Sequence, residues 1–168
     1  MSIPVSITVK SPQDCSPGEL GDFAALVVAG GEIIREGLEG RVLAAHALFL
    51  LREDSCLLGI AALKNPAARY RASTFKKACA TALPSQYPLE LGWVFVMPSA
   101  RGRKLSHRLA QAAVAHAAQA QIFATSRIDN LAMHAALITA SFTKHGTDYP
   151  SDRGTHRLAL FLRSLSSQ

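Results

Sequence analysis

A basic turn between a strand and a helix is the segment of this sequence best suited to chemistry. The apolar run Leu89–Met97 leads to residues 101–104, which read Arg-Gly-Arg-Lys, and an alanine-rich helix follows. The first N–H groups of a helix lack partners within it and carry the positive end of its dipole, so they bind anions. Gly102 lets a ligand approach the backbone closely. Because basic residues oppose the dipole at a helix start, we predict a phosphate here rather than a bare basic turn.

Other sites with diagnostic spacing are missing from the sequence. There is no GxxxxGK[ST] loop and no GxGxxG motif, because the basic turn has a single glycine. The cysteines Cys15, Cys56 and Cys79 form no CxxC pair, and the histidines lack HxxH or HExxH spacing. We therefore expect neither a disulfide framework nor a metal site. His46 and His116 lie in apolar runs and are expected in the core or at its boundary.

The segment from Glu90 to Ser106 resembles the GNAT superfamily of acyl-CoA N-acetyltransferases. It reads ELGWVFVMPSARGRKLS. The family's signature, Gln/Arg-x-x-Gly-x-Gly/Ala, follows a strand that ends in V-x-P. Arg101 takes the first position of that signature. Lys104 stands in place of the first glycine, and Ser106 in place of the small last residue.

A second stretch, Arg127–Phe142, resembles the family's helix that begins with asparagine and ends in Gly-Phe. Asn130 takes the position of the asparagine that contacts the cofactor, and Ser141 precedes the phenylalanine. Many members carry a tyrosine seven residues after that asparagine, which serves as general acid for the leaving thiolate. Leu137 is found there instead, so the usual acid is absent. The candidates to replace it, none distinguished by spacing, are Tyr70, His134, Ser141 and Tyr149.

The resemblance implies one α/β domain over residues 1–168, with a mixed, mostly antiparallel central sheet flanked by helices and splayed near Val94–Val96. It implies acetyl-CoA as cosubstrate and no metal. The pyrophosphate would lie on the N–H groups of the basic turn, Val96 would pair with pantetheine, and the Val94 N–H would polarise the acetyl carbonyl. The cofactor-binding residues so predicted are Val96, Arg101, Gly102, Arg103, Lys104, Leu105, Ser106 and Asn130.

Glu90 is the candidate catalytic base. It lies six residues before Val96, where some members of the family carry a catalytic glutamate. A period of two puts it on the same strand face as Val94 and Val96. Apolar neighbours such as Trp93 predict a raised pKa, which suits a base that deprotonates an ammonium. The alternative is a structural glutamate paired with an arginine of the next strand.

Hydrophobic periodicity predicts the elements that hold these residues. Strand and helix alternate in the second half of the chain, which indicates a mixed α/β sheet. The helix after the basic turn is expected to run to about Gln121. Its predicted inward stripe is Leu105, Leu109, Ala112, Ala113 and His116. The predicted strands are Ile3–Val9, Ala47–Leu51, Cys56–Leu63, Leu89–Met97, Ile122–Thr125, Phe142–His145 and Arg157–Leu162. The other predicted helices are Glu19–Ala29, one from Glu32 or Glu36 to Ala45, Thr74–Ala82, and one from Asp129 or Asn130 to Ala140.

Composition and charge limit the class of protein and its partners. The chain has 168 residues, of which 49% are hydrophobic and 18% charged, so it can form one domain with a core and is not a disordered chain. Eighteen Lys and Arg against twelve Asp and Glu give a net charge of +6, which favours an anionic partner. The long basic segment Lys64–Pro88 is expected to border the acceptor cleft. It favours an acceptor with a phosphate or carboxylate; a solvated amphipathic helix is preferred there over nucleic-acid binding.

The sequence as a whole predicts transfer of an acetyl group from acetyl-CoA to a primary amine. Two alternatives stay open. Because Lys104, Ser106 and Leu137 depart from the family pattern, the domain could bind CoA or RNA without turnover. It could also acetylate aminoacyl-tRNA, as toxins of the family do. The first residues lack a signal-peptide pattern, and the run Val42–Leu51 is too short to span a bilayer, so we expect a cytoplasmic monomer or homodimer without membrane contact.

Overall fold

A seven-stranded sheet forms the centre of the protein. The computed structural model describes residues 3–31 and 33–165. The strand order is β1-β2-β3-β4-β5-β7-β6, and every neighbouring pair is antiparallel except β4 and β5. This confirms the predicted mixed, mostly antiparallel sheet. The strands are β1 Val5–Lys10, β2 Ala47–Glu53, β3 Cys56–Lys64, β4 Leu89–Val96, β5 Ile122–Arg127, β6 Thr143–Pro150 and β7 Arg157–Arg163.

Helices cover both faces of the sheet. They are α1 Pro17–Ala29, α2 Leu38–Leu43, α3 Ala68–Lys77, α4 Leu105–Ala117 and α5 Leu131–Thr139. Alternate strand residues pack under α4 and α5 in one cluster that extends from β2 to β7. The opposite face carries two clusters, one under α1 and α2 against β2 and β3, the other under α3 against β5 and β7. The start of β4 lies between these two clusters.

The two middle strands separate after a short contact. β4 and β5 pair only at Leu89 with Ile122 and at Glu90 with Phe123. Beyond Glu90 the two strands diverge, although β4 continues to Val96 beside β3. The splay predicted near Val94–Val96 is therefore present, and it opens an edge of backbone toward the helices.

A β-bulge interrupts β4 at the splay. Gly92 is opposite Ala62, but the next pair in the register is Phe95 with Ile60, so two residues of β4 face one of β3. Trp93 takes up the extra length in the left-handed region, with φ of +51°. A bulge of this kind twists the strand and breaks its alternation.

The predicted element boundaries need four corrections. The helix expected over Thr74–Ala82 is α3, which begins at Ala68 and ends at Lys77. α2 is short and begins after Gly37; the predicted start at Glu32 lies outside the described residues. α4 ends at Ala117 instead of near Gln121. β6 extends to Pro150, into residues predicted as a turn, because β7 pairs with it as far as Arg157.

The histidine predictions were wrong. His46 and His116 are both exposed, and their rings meet each other edge-on at 6.0 Å. The buried stripe of α4 contains Ala110 instead of Ala112 and His116. The exposed His116 ring contacts the Phe49 ring in a T-shaped arrangement.

No helix among residues 3–31 and 33–165 is long and apolar enough to cross a membrane.

Candidate active site

A cleft of about 450 Å³ opens where β4 and β5 separate. Its walls come from the second half of β4, the first turns of α4 and α5, and the end of α1. The structure brings together eight of the ten residues predicted for the site, while Glu90 and Arg103 lie outside this lining. The lining residues are Ala29, Gly30, Val94, Phe95, Val96, Arg101, Gly102, Lys104, Leu105, Ser106, Asn130, Ala132 and Met133.

The basic turn forms the anion-binding end of the cleft. Gly102 and Lys104 adopt positive φ angles of 82° and 55°, and α4 begins directly after Lys104. Since no side chain caps this helix, its first N–H groups keep their capacity for a ligand. Lys104 stands where the family signature has glycine, and its left-handed backbone explains that preference. For a residue with a Cβ the conformation costs about 1 kcal/mol.

Both arginines of the turn make hydrogen bonds within the protein. Arg101 donates from Nε to the Val96 carbonyl oxygen at 3.1 Å, and its guanidinium lies 5.6 Å from the centre of the Phe95 ring. Arg103 donates to Glu53 at 2.6 Å, on the hairpin that joins β2 and β3. Arg103 therefore turns away from the cleft because an acidic partner lies close by. Arg101 remains at the mouth of the cleft, bonded to the backbone that the cofactor was predicted to contact.

Asn130 begins the second helix of the cleft. Its side-chain oxygen accepts from the Met133 N–H at 3.1 Å and so caps α5. The amide nitrogen of Asn130 takes no part in this cap, and Asn130 lines the cleft, which suits the predicted contact. Leu137 is fully buried in the core one turn beyond Met133. None of the four predicted substitutes for the general acid lies in the cleft lining, where Ser106 is the hydroxyl-bearing side chain.

Glu90 lies on the sheet face opposite α4 and α5. Its register partner is Lys64, on the face that carries Trp93 and Phe95, whereas Val96 packs under α4. The expectation that Glu90 shares a face with Val94 and Val96 was therefore wrong. A period of two fails here because the bulge at Trp93 inserts one residue between them.

The Glu90 carboxyl is almost completely buried, with 4% of the residue exposed. Tyr70 donates its hydroxyl to Oε1 at 3.1 Å, and the Lys64 ammonium lies 3.7 Å from Oε2. Among the described residues Oε2 has no hydrogen-bond donor. Burial raises the pKa of Glu90, and the positive charge of Lys64 and the Tyr70 hydrogen bond offset part of that rise. The raised pKa was predicted, but the partner is a lysine of β3 instead of an arginine.

Two of the predicted substitutes for the general acid, Tyr70 and Tyr149, lie near Glu90 instead of in the cleft lining. Tyr70 is the first-turn tyrosine of α3, and Tyr149 lies on β6 close enough for the Glu90 charge to act on it. Burial raises the pKa of both tyrosines, and the negative charge of Glu90 raises it further. Both phenols stay neutral at physiological pH. Only the fold reveals these contacts, because Tyr70 and Tyr149 are far from Glu90 in sequence.

Comparison with known proteins decides the family. The model of the acetyltransferase (GNAT) family matches residues 32–137, more than half of the chain. The chain belongs to the GNAT family. As a member it is an acyl-CoA-dependent N-acetyltransferase, with the fold that the sequence resemblance implied. No curated protein matches it in sequence.

Solved GNAT structures share the fold at low sequence identity. An acyl-CoA N-acyltransferase from Pseudomonas aeruginosa superposes with a TM-score of 0.71 at 18% identity, over 96% of this chain and all of that one. A Salmonella typhimurium protein solved with its cofactor acetyl-CoA gives 0.66 at 14%, over 98% of this chain and 95% of that one. A ribosomal L7/L12 alpha-N-protein acetyltransferase in complex with coenzyme A gives 0.66 at 15%, over the full length of both. The similarity in fold extends over 96–100% of this chain.

Proposed function

We propose that this GNAT member transfers an acetyl group from acetyl-CoA to a primary amine, with Glu90 as the base. One observation supports this proposal above the others. A cleft with an uncapped helix start meets the splay of β4 and β5 on one face, and a buried carboxyl with a raised pKa lies on the other. Acetyl transfer needs a donor and an acceptor that approach from different directions.

The donor enters from the face of α4 and α5. The N–H groups at the start of α4 bind the pyrophosphate, and Lys104 and Arg101 supply positive charge beside it. Arg101 exchanges its bond to Val96 for a phosphate oxygen, which frees that carbonyl for pantetheine. Asn130 lines the far wall and donates from its side-chain amide.

The acceptor approaches from the other face, where Glu90 lies. Oε2, which accepts no hydrogen bond among the described residues, takes a proton from the ammonium of the acceptor, and the neutral amine then attacks the acetyl carbonyl carbon. The N–H of Val94, which lines the cleft at the bulge, donates to the carbonyl oxygen as negative charge develops on it. The carbon–sulfur bond breaks and the attacking nitrogen releases its second proton to water. Water in turn protonates the thiolate, in keeping with Leu137 in place of the acid.

Replacement of Glu90 tests this assignment. Glu90→Gln should lower kcat/KM for acetyl transfer by about 10²- to 10⁴-fold, the usual contribution of a general base. It should leave the Kd for acetyl-CoA unchanged, because Glu90 lies outside the cofactor cleft. Thiol release with a panel of amines measures the first quantity, and calorimetry measures the second. Glu39→Gln, which changes an exposed glutamate of α2, is the control.

Normal turnover of Glu90→Gln would remove Glu90 from the mechanism. If the wild-type chain binds acetyl-CoA but releases no thiol with any amine, it is a binding domain without turnover. Leu137 and the phenol-free cleft are the features that favour this second candidate. Binding to RNA that weakens steeply with salt would instead support an RNA-borne acceptor.

A further inference from the structure

Lys64 is the cationic neighbour of Glu90. The side chain of Lys64 is 29% exposed and that of Glu90 5%, so the lysine is the more accessible partner of the pair. Gly92 makes room for it: a Cβ at position 92 would lie 2.8 Å from Lys64 Cδ. The ammonium of Lys64 rests 4.7 Å from the centre of the Trp93 ring, a cation–π distance. Packing thus holds Lys64 beside the base at a fixed position.

This arrangement is unfavourable for an acceptor that carries only an ammonium. Such a group would approach Oε2 of Glu90 next to the Lys64 ammonium, which lies 3.7 Å from the same oxygen. Two ammonium groups beside the same oxygen repel each other, and a partly buried site screens this repulsion less than water does. The charge of Arg153 also reaches Glu90, where it lowers the pKa of the carboxyl. The nearby Asp152 does not compensate for Lys64, since it pairs with Lys77.

An acceptor with an anionic group beside its amine removes this conflict. Its amine faces Oε2 of Glu90, and its anion faces the Lys64 ammonium, so that four charges alternate in sign. The short distance between Oε2 and Nζ requires that the amine and the anion be separated by only two or three bonds. We propose that the acceptor is a small amino acid-like zwitterion and that Lys64 binds its carboxylate or phosphonate. This inference rests on the proposed function.

Matched acceptor pairs test this proposal with the full chain. Glycine against methylamine and β-alanine against ethylamine differ by the carboxylate, and aminomethylphosphonate carries a phosphonate in place of the carboxylate of glycine. We expect kcat/KM for the zwitterion of a pair to exceed that for the plain amine by about tenfold or more. The two anions separate carboxylate from phosphonate selectivity. Thiol release at saturating acetyl-CoA is the readout.

Variants of Lys64 show whether the lysine is the cause. Lys64→Met keeps the aliphatic stem over Gly92 and Trp93 but removes the charge, and it should reduce the preference to about twofold. Lys64→Arg should retain most of the preference. Lys10→Met, which removes a lysine ion-paired with Glu19 on β1, is the control and should keep the full preference. The quantity compared is the ratio within each pair, which cancels a general loss of activity.

A second readout covers the case of slow turnover. In the presence of CoA, the zwitterion should raise the Tm of the wild-type chain more than that of Lys64→Met. Equal or better use of plain amines by the wild-type chain would overturn the role of Lys64 and leave acetyl transfer by Glu90 intact. A zwitterion preference that survives in Lys64→Met would also overturn it. If the wild-type chain neither binds acetyl-CoA nor transfers acetyl to any amine, the proposed function itself is overturned.

Discussion

Glu90, the proposed base, also lowers the stability of the folded chain when it is charged. Its carboxyl is buried beside one ammonium and one phenol, and burial outweighs both in setting its pKa above the usual value. A group that is harder to ionise in the folded than in the unfolded chain lowers stability once it is charged. The sequence indicated the raised pKa, because apolar Leu89, Leu91 and Trp93 flank the glutamate along the chain. It could not indicate the face, because the bulge depends on pairing with β3.

The stability cost of Glu90 should appear as a dependence on pH. A folded-state pKa above the unfolded value favours the folded chain while the group is protonated, below the unfolded pKa. That advantage is lost as pH rises through the folded pKa. Relative to Glu90→Gln, the wild-type chain should therefore lose Tm as the pH rises from the unfolded pKa of a glutamate, about 4.3, through the raised pKa of the folded carboxyl. Thermal unfolding of both proteins across this range measures the difference.

Glu39→Gln is the control, since that exposed glutamate faces solvent in α2 and should leave the difference in Tm flat with pH. The difference in Tm between Glu90→Gln and the wild-type chain could instead stay constant, or narrow, as the pH rises. Lys64 and Tyr70 would then fully compensate for the effect of burial on the pKa of Glu90. The pKa of Glu90 would then be ordinary, and a base active only through its raised pKa would lose its physical support.

At the scale of elements, the start of α4 determines how well the chain binds an anion. The order of strands and helices was predictable because each apolar run is bounded by turn residues, as at Pro98 and Gly102. The start of α3 could not be predicted, because Ala68 to Arg71 have no apolar periodicity. These residues become helical because Phe75, in the same helix, packs against Phe123 and Tyr87. At α4 the sequence predicted the position but not the left-handed backbone of Lys104.

Lys104 places a positive charge at the cleft, but its left-handed backbone is less favourable for lysine than for glycine. Lys104→Gly should stabilise the chain by up to about 1 kcal/mol, because glycine adopts a φ of +55° without strain. The same change should weaken acetyl-CoA severalfold, because it removes a positive charge at the cleft. Chemical denaturation measures the first effect and calorimetry the second. Lys104→Ala separates them, since it lacks the charge but keeps the Cβ.

If Lys104→Gly and Lys104→Ala bind acetyl-CoA as the wild-type chain does, the side chain is irrelevant and the N–H groups of α4 alone hold the phosphate. If Lys104→Gly is less stable than Lys104→Ala, the left-handed backbone is wrong. A salt series adds a further check, because an electrostatic contribution from Lys104 weakens as ionic strength rises.

The whole molecule consists of two half-sheets joined by a narrow contact. β1 to β4 form one half and β5, β7 and β6 the other, and only two residue pairs connect β4 with β5. α4 and α5 bridge the halves above the splay. A ligand in the cleft therefore bridges the weakest junction of the sheet, which no reading of separate sequence segments could show.

Acetyl-CoA should stabilise this junction more than the rest of the molecule. At 100 times its Kd, a ligand specific for the folded chain adds about 2.7 kcal/mol, or roughly 5–10 °C in Tm for a domain of this size. Amide exchange should slow most at Val94–Val96 and at the first turn of α4, and least at β1, which the cleft does not touch. Hydrogen-exchange mass spectrometry maps this pattern.

Two control ligands separate the parts of the cofactor. Desulfo-CoA should reproduce the pattern of protection, because it keeps the pyrophosphate and pantetheine, whereas ATP should protect the start of α4 without Val94–Val96. Uniform protection with all three ligands would mean that the splay is not where the pantetheine binds.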